Sequence, residues 1–265
     1  SEAALMVYYQ FQTPQFRIDA GIFPRSKMIG SYSEAFFDDK TTFYHDPLQG
    51  LLATWQSTKN SSYAEFLIDW EGLRTQTQRE KFRILAEARY DNSKLYAGGS
   101  LMVLHYAKTY VETEGEGVVD NTMFNPHVGV RLGGELKLDM RLGYLLAMQR
   151  DRRLEAGWES PMGGEFWANI SYKGFALDNR LYLGDNLMPL YSTYGDELFE
   201  ASTFYSTDEG FYNRTAVSYN NTFFNDTLSI GAELVFHFDG VGCGLQQMLK
   251  IGVALDKIFE FKAKR

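Results

Sequence analysis

The sequence predicts an all-β fold, a transmembrane up-and-down antiparallel β-barrel with about 13 strands in this chain and about 14–16 in the intact protein. Three observations predict it. Apolar and polar residues alternate with period two along much of the chain, short and long connections alternate between the candidate strands, and aromatic residues collect at strand ends. Successive side chains of a strand point to opposite faces, so this alternation gives each strand one apolar wall and one charged wall.

Taken in order, the first candidates are 3–12 and 16–23, joined by the tight link Thr13–Gln15. Strands 48–57 and 62–73 follow, and in the second Ala64, Phe66, Ile68 and Trp70 oppose Glu65, Leu67, Asp69 and Glu71. In 81–91, Phe82, Ile84, Ala86, Ala88 and Tyr90 oppose Lys81, Arg83, Glu87 and Arg89, and Asn92–Ser93 leads into 94–108. The pair 123–132 and 135–149 turns at Gly133–Gly134. Its second member sets Leu136, Leu138, Met140, Leu142, Tyr144, Leu146 and Met148 against Glu135, Lys137, Asp139, Arg141 and Gly143. A helix would scatter those charges all round. Strands 164–173 and 175–184 meet at Lys173–Gly174, 211–220 and 227–238 at Asn221–Asp226, and 247–261 ends the series. Gly, Asn and Asp tolerate the positive φ of hairpin turns. Longer links lie at 24–47, 74–80, 109–122, 150–163, 185–210 and 239–246, and the chain reads as one domain over 1–265.

Composition narrows the classes. A hydrophobic fraction of 45% can bury a core, which argues against disorder. Cys243 alone permits neither a disulfide scaffold nor a multi-Cys metal site. A net charge of −8 and the lack of a basic stripe argue against a nucleic-acid partner. No run approaches the roughly 20 apolar residues of a spanning helix. A series of about 13 long strands exceeds the eight of a small ligand-binding barrel and implies a wide, watery lumen. Girdles of Tyr and Phe near strand ends suit the headgroup layers of a bilayer.

The segments Gly21-Ile22-Phe23-Pro24-Arg25 with Phe36-Phe37, Gly184-Asp185-Asn186-Leu187-Met188-Pro189-Leu190-Tyr191, Tyr212-Asn213-Arg214-Thr215 and Val235-Phe236-His237-Phe238 resemble a porin-like outer-membrane β-barrel family of Bacteroidota-type bacteria. The resemblance runs from about residue 16 to the end and implies a barrel in the outer membrane of a Gram-negative cell, with no catalytic residues carried over.

The function expected on this basis is passive diffusion of small hydrophilic solutes across the bacterial outer membrane. The alternative is a structural or accessory barrel subunit of a larger outer-membrane assembly or export complex. Expected pore-lining residues are Arg17, Asp19, Glu65, Asp69, Arg83, Glu87, Arg89, Arg131, Lys137, Asp139, Arg141, Arg180, Arg214 and Lys250. Opposed charges on a pore wall filter solutes, and cross-strand ion pairs stiffen it. A salt-bridged plug in a closed barrel is the competing reading. The loop 185–210, with Asp185, Met188, Pro189, Tyr191, Tyr194 and Asp196, carries too many aromatics for a solvated loop. It is expected to form a constriction or to face a partner protein. The loop 24–47 invites the same reading more weakly.

No catalytic residue, metal site or cofactor is expected. His105 and His127 flank one long loop near Asp120, but spacing places no Ser or Asp partner beside them. The partners expected are outer-membrane lipid, the transported solutes and an outer-membrane protein. Because strand 3–12 would begin on the long-loop side, an even-stranded barrel with both ends in the periplasm requires at least one further strand before Ser1.

Overall fold

The computed structural model of the chain describes residues 5–38, 41–42, 47–111, 116–154, 157–201, 203–206, 208–224 and 226–254. Thirteen strands form one sheet in sequence order, each antiparallel to the next. They are β1 Tyr8–Gln12, β2 Phe16–Pro24, β3 Pro47–Gln56, β4 Tyr63–Gly72, β5 Lys81–Asp91, β6 Leu95–Tyr106, β7 Val119–Leu132, β8 Leu136–Asp151, β9 Met162–Tyr172, β10 Phe175–Gly184, β11 Phe211–Phe223, β12 Leu228–Phe238 and β13 Cys243–Val253. This is the up-and-down antiparallel architecture expected. Among the described residues β1 and β13 do not pair with each other, so the sheet is open along that seam. No helix among the described residues is long and apolar enough to cross a membrane.

Local chemistry closes the short turns. The Phe16 amide donates to Thr13 Oγ1 at 2.9 Å, and the Leu95 amide to Asn92 Oδ1 at 2.8 Å. Lys173 and Gly174 both have positive φ, 45° and 87°, the hand that matches the twist of two paired strands. Several boundaries differ from expectation, and two of the shifts change a connection. β7 starts at Val119 rather than 123, because pairing with β6 and β8 carries Asp120, Asn121 and Thr122 into the ladder against their weak strand propensity. The link before β13 is a tight turn rather than a long loop, with Asp239 Oδ1 accepting from the Gly242 and Val241 amides at 2.6 and 3.0 Å. Residues 255–261 of the expected last strand lie outside the described residues.

The expected apolar faces do point outward: Leu142, for example, is 60% exposed. The opposite face is not a watery wall. Leu48, Leu52, Leu67, Leu85, Met102, Leu104, Met123 and Leu145 also face inward and are buried in one cluster. Loop residues Ala35, Phe36, Leu187, Met188, Leu198, Phe199 and Tyr205 join the same cluster. The wide, watery lumen is therefore corrected to a packed core. The physical reason is that several strands, such as Leu48–Trp55 and Leu101–Leu104, are apolar on both faces and need a partner on each.

Candidate functional site

The segment after β2 begins with a 3-10 turn at Arg25–Lys27 and then runs through the lumen, its residues meeting successive wall strands. The amides of Ile29 and Gly30 donate to the carboxylate of Glu65 on β4 at 2.5 and 3.2 Å, and Tyr32 OH donates to the same carboxylate at 2.9 Å. That carboxylate and the surrounding burial raise the Tyr32 pKa well above its ordinary value, burial being the larger cause. The Ser31 amide donates to Glu87 on β5 at 2.5 Å, while Arg141 on β8 donates to Ser31 O at 2.8 Å. Ser33 Oγ donates to Glu165 on β9 at 2.6 Å. Glu34 meets Arg180 on β10 at 3.1 Å and Arg214 on β11 at 3.2 Å. Backbone amides thus find acceptors inside the barrel, which a chain crossing a lumen requires.

The residues expected to line a pore do face inward, but the structure brings most of them together as anchors of this plug or as paired charges. Asp19 is buried between Arg17 at 2.9 Å and Lys27 at 2.7 Å. Asp69 accepts from the Gln49 amide at 2.9 Å. Arg89 lies over the rings of Tyr63 and Tyr96, and Arg131 bridges Asp91 and Asp139 at 2.9 and 3.0 Å. Lys137 is exposed at the short-turn end of β8. Lys250, also exposed, lines a cavity of about 390 Å³ with Asp178, Arg180, Arg214 and Glu233.

The loop 185–210 packs on the plug, while its expected constriction residues bond to the wall or within the loop itself. The Met162 amide donates to Asp185 Oδ2 at 3.1 Å, Met188 is buried, and Pro189 precedes the short helix Tyr191–Tyr194. Tyr191 OH donates to Asp196 at 3.1 Å, and Tyr194 OH donates to Asp151 while accepting from Arg153 at 2.7 Å. Phe37 and Glu200 form a parallel β-bridge, with the Asp38 amide donating to Glu200 O at 2.9 Å. The Glu200 carboxylate meets Arg83 at 2.6 Å and Lys81 at 3.7 Å. Burial pushes its pKa upward, but Arg83, Lys81 and Arg25 outweigh burial and hold it at about 2.

Outside the barrel, at the long-loop end, one cross-strand row carries a different chemistry. Register places Trp70 of β4, Phe82 of β5, His105 of β6, Asp120 of β7 and Arg150 of β8 side by side on the outward face. Trp70 and Phe82 rings lie 5.3 Å apart, and Phe82 and His105 rings 5.0 Å apart. His105 Nδ1 is 3.2 Å from Asp120 Oδ1. An ionised carboxylate only accepts, so Nδ1 carries the hydrogen and Nε2 is left as the basic nitrogen. Arg152 holds the same carboxylate from the other side at 2.7 and 3.1 Å. Arg150 sits 6.0 Å from the Trp158 ring. A base, its orienting carboxylate and two guanidinium groups therefore share an apolar wall at the rim. Polar groups are costly on such a wall unless they work there. The sequence contained both members of the dyad, but with Asp120 expected in a loop its place opposite His105 was hidden. A strand boundary four residues earlier would have exposed it. Among the described residues no group of three His, Cys, Asp or Glu side chains is set to hold a metal ion.

A family model described as lipid A 3'-O-deacylase-type matches residues 2–255. No curated protein and no solved structure matches the chain. The family match corrects the porin resemblance, and with it the reading of the chain as a porin for passive transport of solutes. It also corrects the expectation that the chain is not an enzyme, since a deacylase breaks a covalent bond. The accessory-subunit alternative finds no support either. An outer-membrane lipid as partner, and an outer-membrane setting, are consistent with both the family and the all-β fold.

Proposed function

The chain belongs to the lipid A 3'-O-deacylase-type family, and on that premise we propose that it is an outer-membrane hydrolase whose active site is the outward row at His105 and Asp120. The ester to be cut joins a sugar hydroxyl to a fatty acyl chain, at the depth where headgroup meets hydrocarbon. An interior site behind the plug is closed to such a substrate. A site on the outer wall, at the long-loop rim, meets the lipid where it resides. The single observation that carries the reading is a carboxylate-oriented imidazole, flanked by arginine, at the rim of a largely apolar outward face.

In this reading His105 Nε2 takes a proton from a water molecule as its oxygen attacks the ester carbonyl carbon. The new carbon–oxygen bond forms, and the bond from that carbon to the sugar 3'-oxygen breaks. The imidazolium returns its proton to the departing alkoxide, leaving a free 3'-hydroxyl and a fatty acid. Asp120 fixes the tautomer and steadies the imidazolium, while Arg152 holds the Asp120 carboxylate in place. Arg150 and Arg152 offer guanidinium groups to the anionic headgroup, and Trp70 and Phe82 offer a stacked apolar surface to the acyl chain.

The test is incubation of the purified, refolded chain with lipid A in detergent micelles, followed by mass spectrometry. Loss of one ester-linked acyl chain is expected from the native protein and not from folded His105→Ala. A folded native protein that releases no fatty acid, or a His105→Ala variant of undiminished rate, would sink the proposal.

A further inference from the structure

At the long-loop end the barrel wall parts between β3 and β4. Their ladder runs from Gln56–Tyr63 up to Gly50–Asp69 and stops there. Above that pair, Pro47, Leu48 and Gln49 stay paired with β2, whereas Trp70 and Gly72 stay with β5. The Gln49 amide, next in line, donates to the Asp69 carboxylate at 2.9 Å in place of a backbone carbonyl of β4. A cavity of about 910 Å³ occupies the gap. Outward Ile22, Gln49 and Trp70 line it together with inward Asp69 and Glu71, so it passes through the wall.

The lining suits a ligand rich in hydroxyl groups. Carboxylates outnumber cations six to three on it, which disfavours an anion. Most of those acids already hold partners. Glu71 and Glu200 meet Lys81 and Arg83, Asp69 accepts from Gln49, and Asp196 accepts from Tyr191 OH. A compact cation would have to break these pairs. A carboxylate keeps lone pairs beyond one partner, and a hydroxyl both donates and accepts, so hydroxyls can join these groups without displacing them. Arg25, Arg79, Gln49 and Gln78 add planar donors suited to adjacent hydroxyls, and Trp70 and Tyr106 add ring surface for the carbon faces between. We propose that the breach between β3 and β4 is a carbohydrate-binding site for a short chain of uncharged sugar rings. Its volume lies within the range of about 300–1,000 Å³ usual for small-molecule sites. Trp70 also ends the row that carries His105, so a sugar held here abuts that row, but its binding requires neither His105 nor Asp120.

Calorimetric titration of the full chain, in a detergent that contains no sugar, tests this. The probes are maltotriose and chitotriose, each free and as its dodecyl glycoside. Gln49, Gln78 and Glu197 are exposed, so truncating them leaves the fold intact. Saturable binding is expected, weakened about tenfold by Gln49→Ala with Gln78→Ala or by Glu197→Ala, and unchanged by His105→Ala. Binding of the free trisaccharides assigns a soluble sugar to the site, and binding of the glycosides alone assigns the headgroup of a glycolipid; either supports it. No binding of any probe, or affinity unchanged in both the glutamine and the Glu197 variants, would overturn the proposal. Binding lost in His105→Ala would also overturn it, since the sugar would then belong to the ester site.

Discussion

Glu200, carried by the longest loop at the rim, meets Arg83 of the wall strand β5 at 2.6 Å, with the Arg83 side chain only 1% exposed. Glu71 holds the same guanidinium at 2.8 Å. Loop and wall therefore converge on one buried cation.

Acid should loosen that junction. The Glu200 pKa falls from an ordinary 4.5 to about 2 in the folded protein. A depressed carboxylate pKa gives stability that is complete above the unfolded value and is lost as pH drops from about 4.5 through about 2. The contribution is on the order of 2–3 kcal/mol. Thermal unfolding in detergent between pH 6 and pH 2 should show the native midpoint falling across that window. Glu200→Gln should start lower and show a smaller fall. Parallel curves for the two proteins would contradict the assignment.

Glu65 should matter more to the plug than to the wall. It accepts from two backbone amides and one tyrosine hydroxyl of the segment 29–32. Glu65→Ala orphans all three donors, at about 1–3 kcal/mol for each buried group left unpaired. Limited proteolysis should then cut between residues 25 and 38 while the strands resist. Protection equal to that of the native chain would show that the carboxylate is not the anchor.

Charge on the two faces should not be interchangeable. Leu142 points outward, so Leu142→Arg should destabilise the protein in a bilayer by ~2–4 kcal/mol near its midplane. Lys137 lies exposed at the end of β8 with no ion pair among the described residues, and Lys137→Gln should leave folding within about 0.5 kcal/mol. Folded fraction after reconstitution, read as the heat-modifiable band on a gel, separates the two. Equal losses would reverse the face assignment.

Asp120→Asn should slow hydrolysis without unfolding the rim. An amide cannot fix the His105 tautomer as a carboxylate does, and the resulting loss in kcat is about 10²–10⁴-fold with little change in KM. Steady-state release of fatty acid measures it. A variant altered in KM alone would make Asp120 a headgroup contact and not part of the base.

Strand alternation, the tight hairpins and the face polarity of β4, β5 and β8 were all legible, because a period of two is a local property. The filled lumen was less so. Leu67 and Leu85 sit among charged neighbours on the polar face, and their inward burial becomes visible only once Phe36 and Phe199 are known to arrive from loops. Runs apolar on both faces, such as Leu101–Leu104, held that signal. The His105–Asp120 pair was not legible because it depends on register between two strands, and Asp120 lacks the propensity that would mark it as strand. The expectation that Tyr191 and Tyr194 pack was local chemistry, and both residues do lie against the loop core.

The order in which the plug meets the wall constrains how the chain can be assembled. Ile29 is held by a residue 36 positions later, Ser31 by one 56 positions later, and Ser33 by one 132 positions later. A segment complete early in synthesis thus waits for strands made much later. Its near end can seat once β4 and β5 have paired, whereas its far end stays free until β9, β10 and β11 arrive. Closing such long loops is slow, so seating of the plug belongs among the last kinetic steps. A chain stalled before β9 would display an ordinary hairpin ladder with the segment around Ser33 and Glu34 still unsecured.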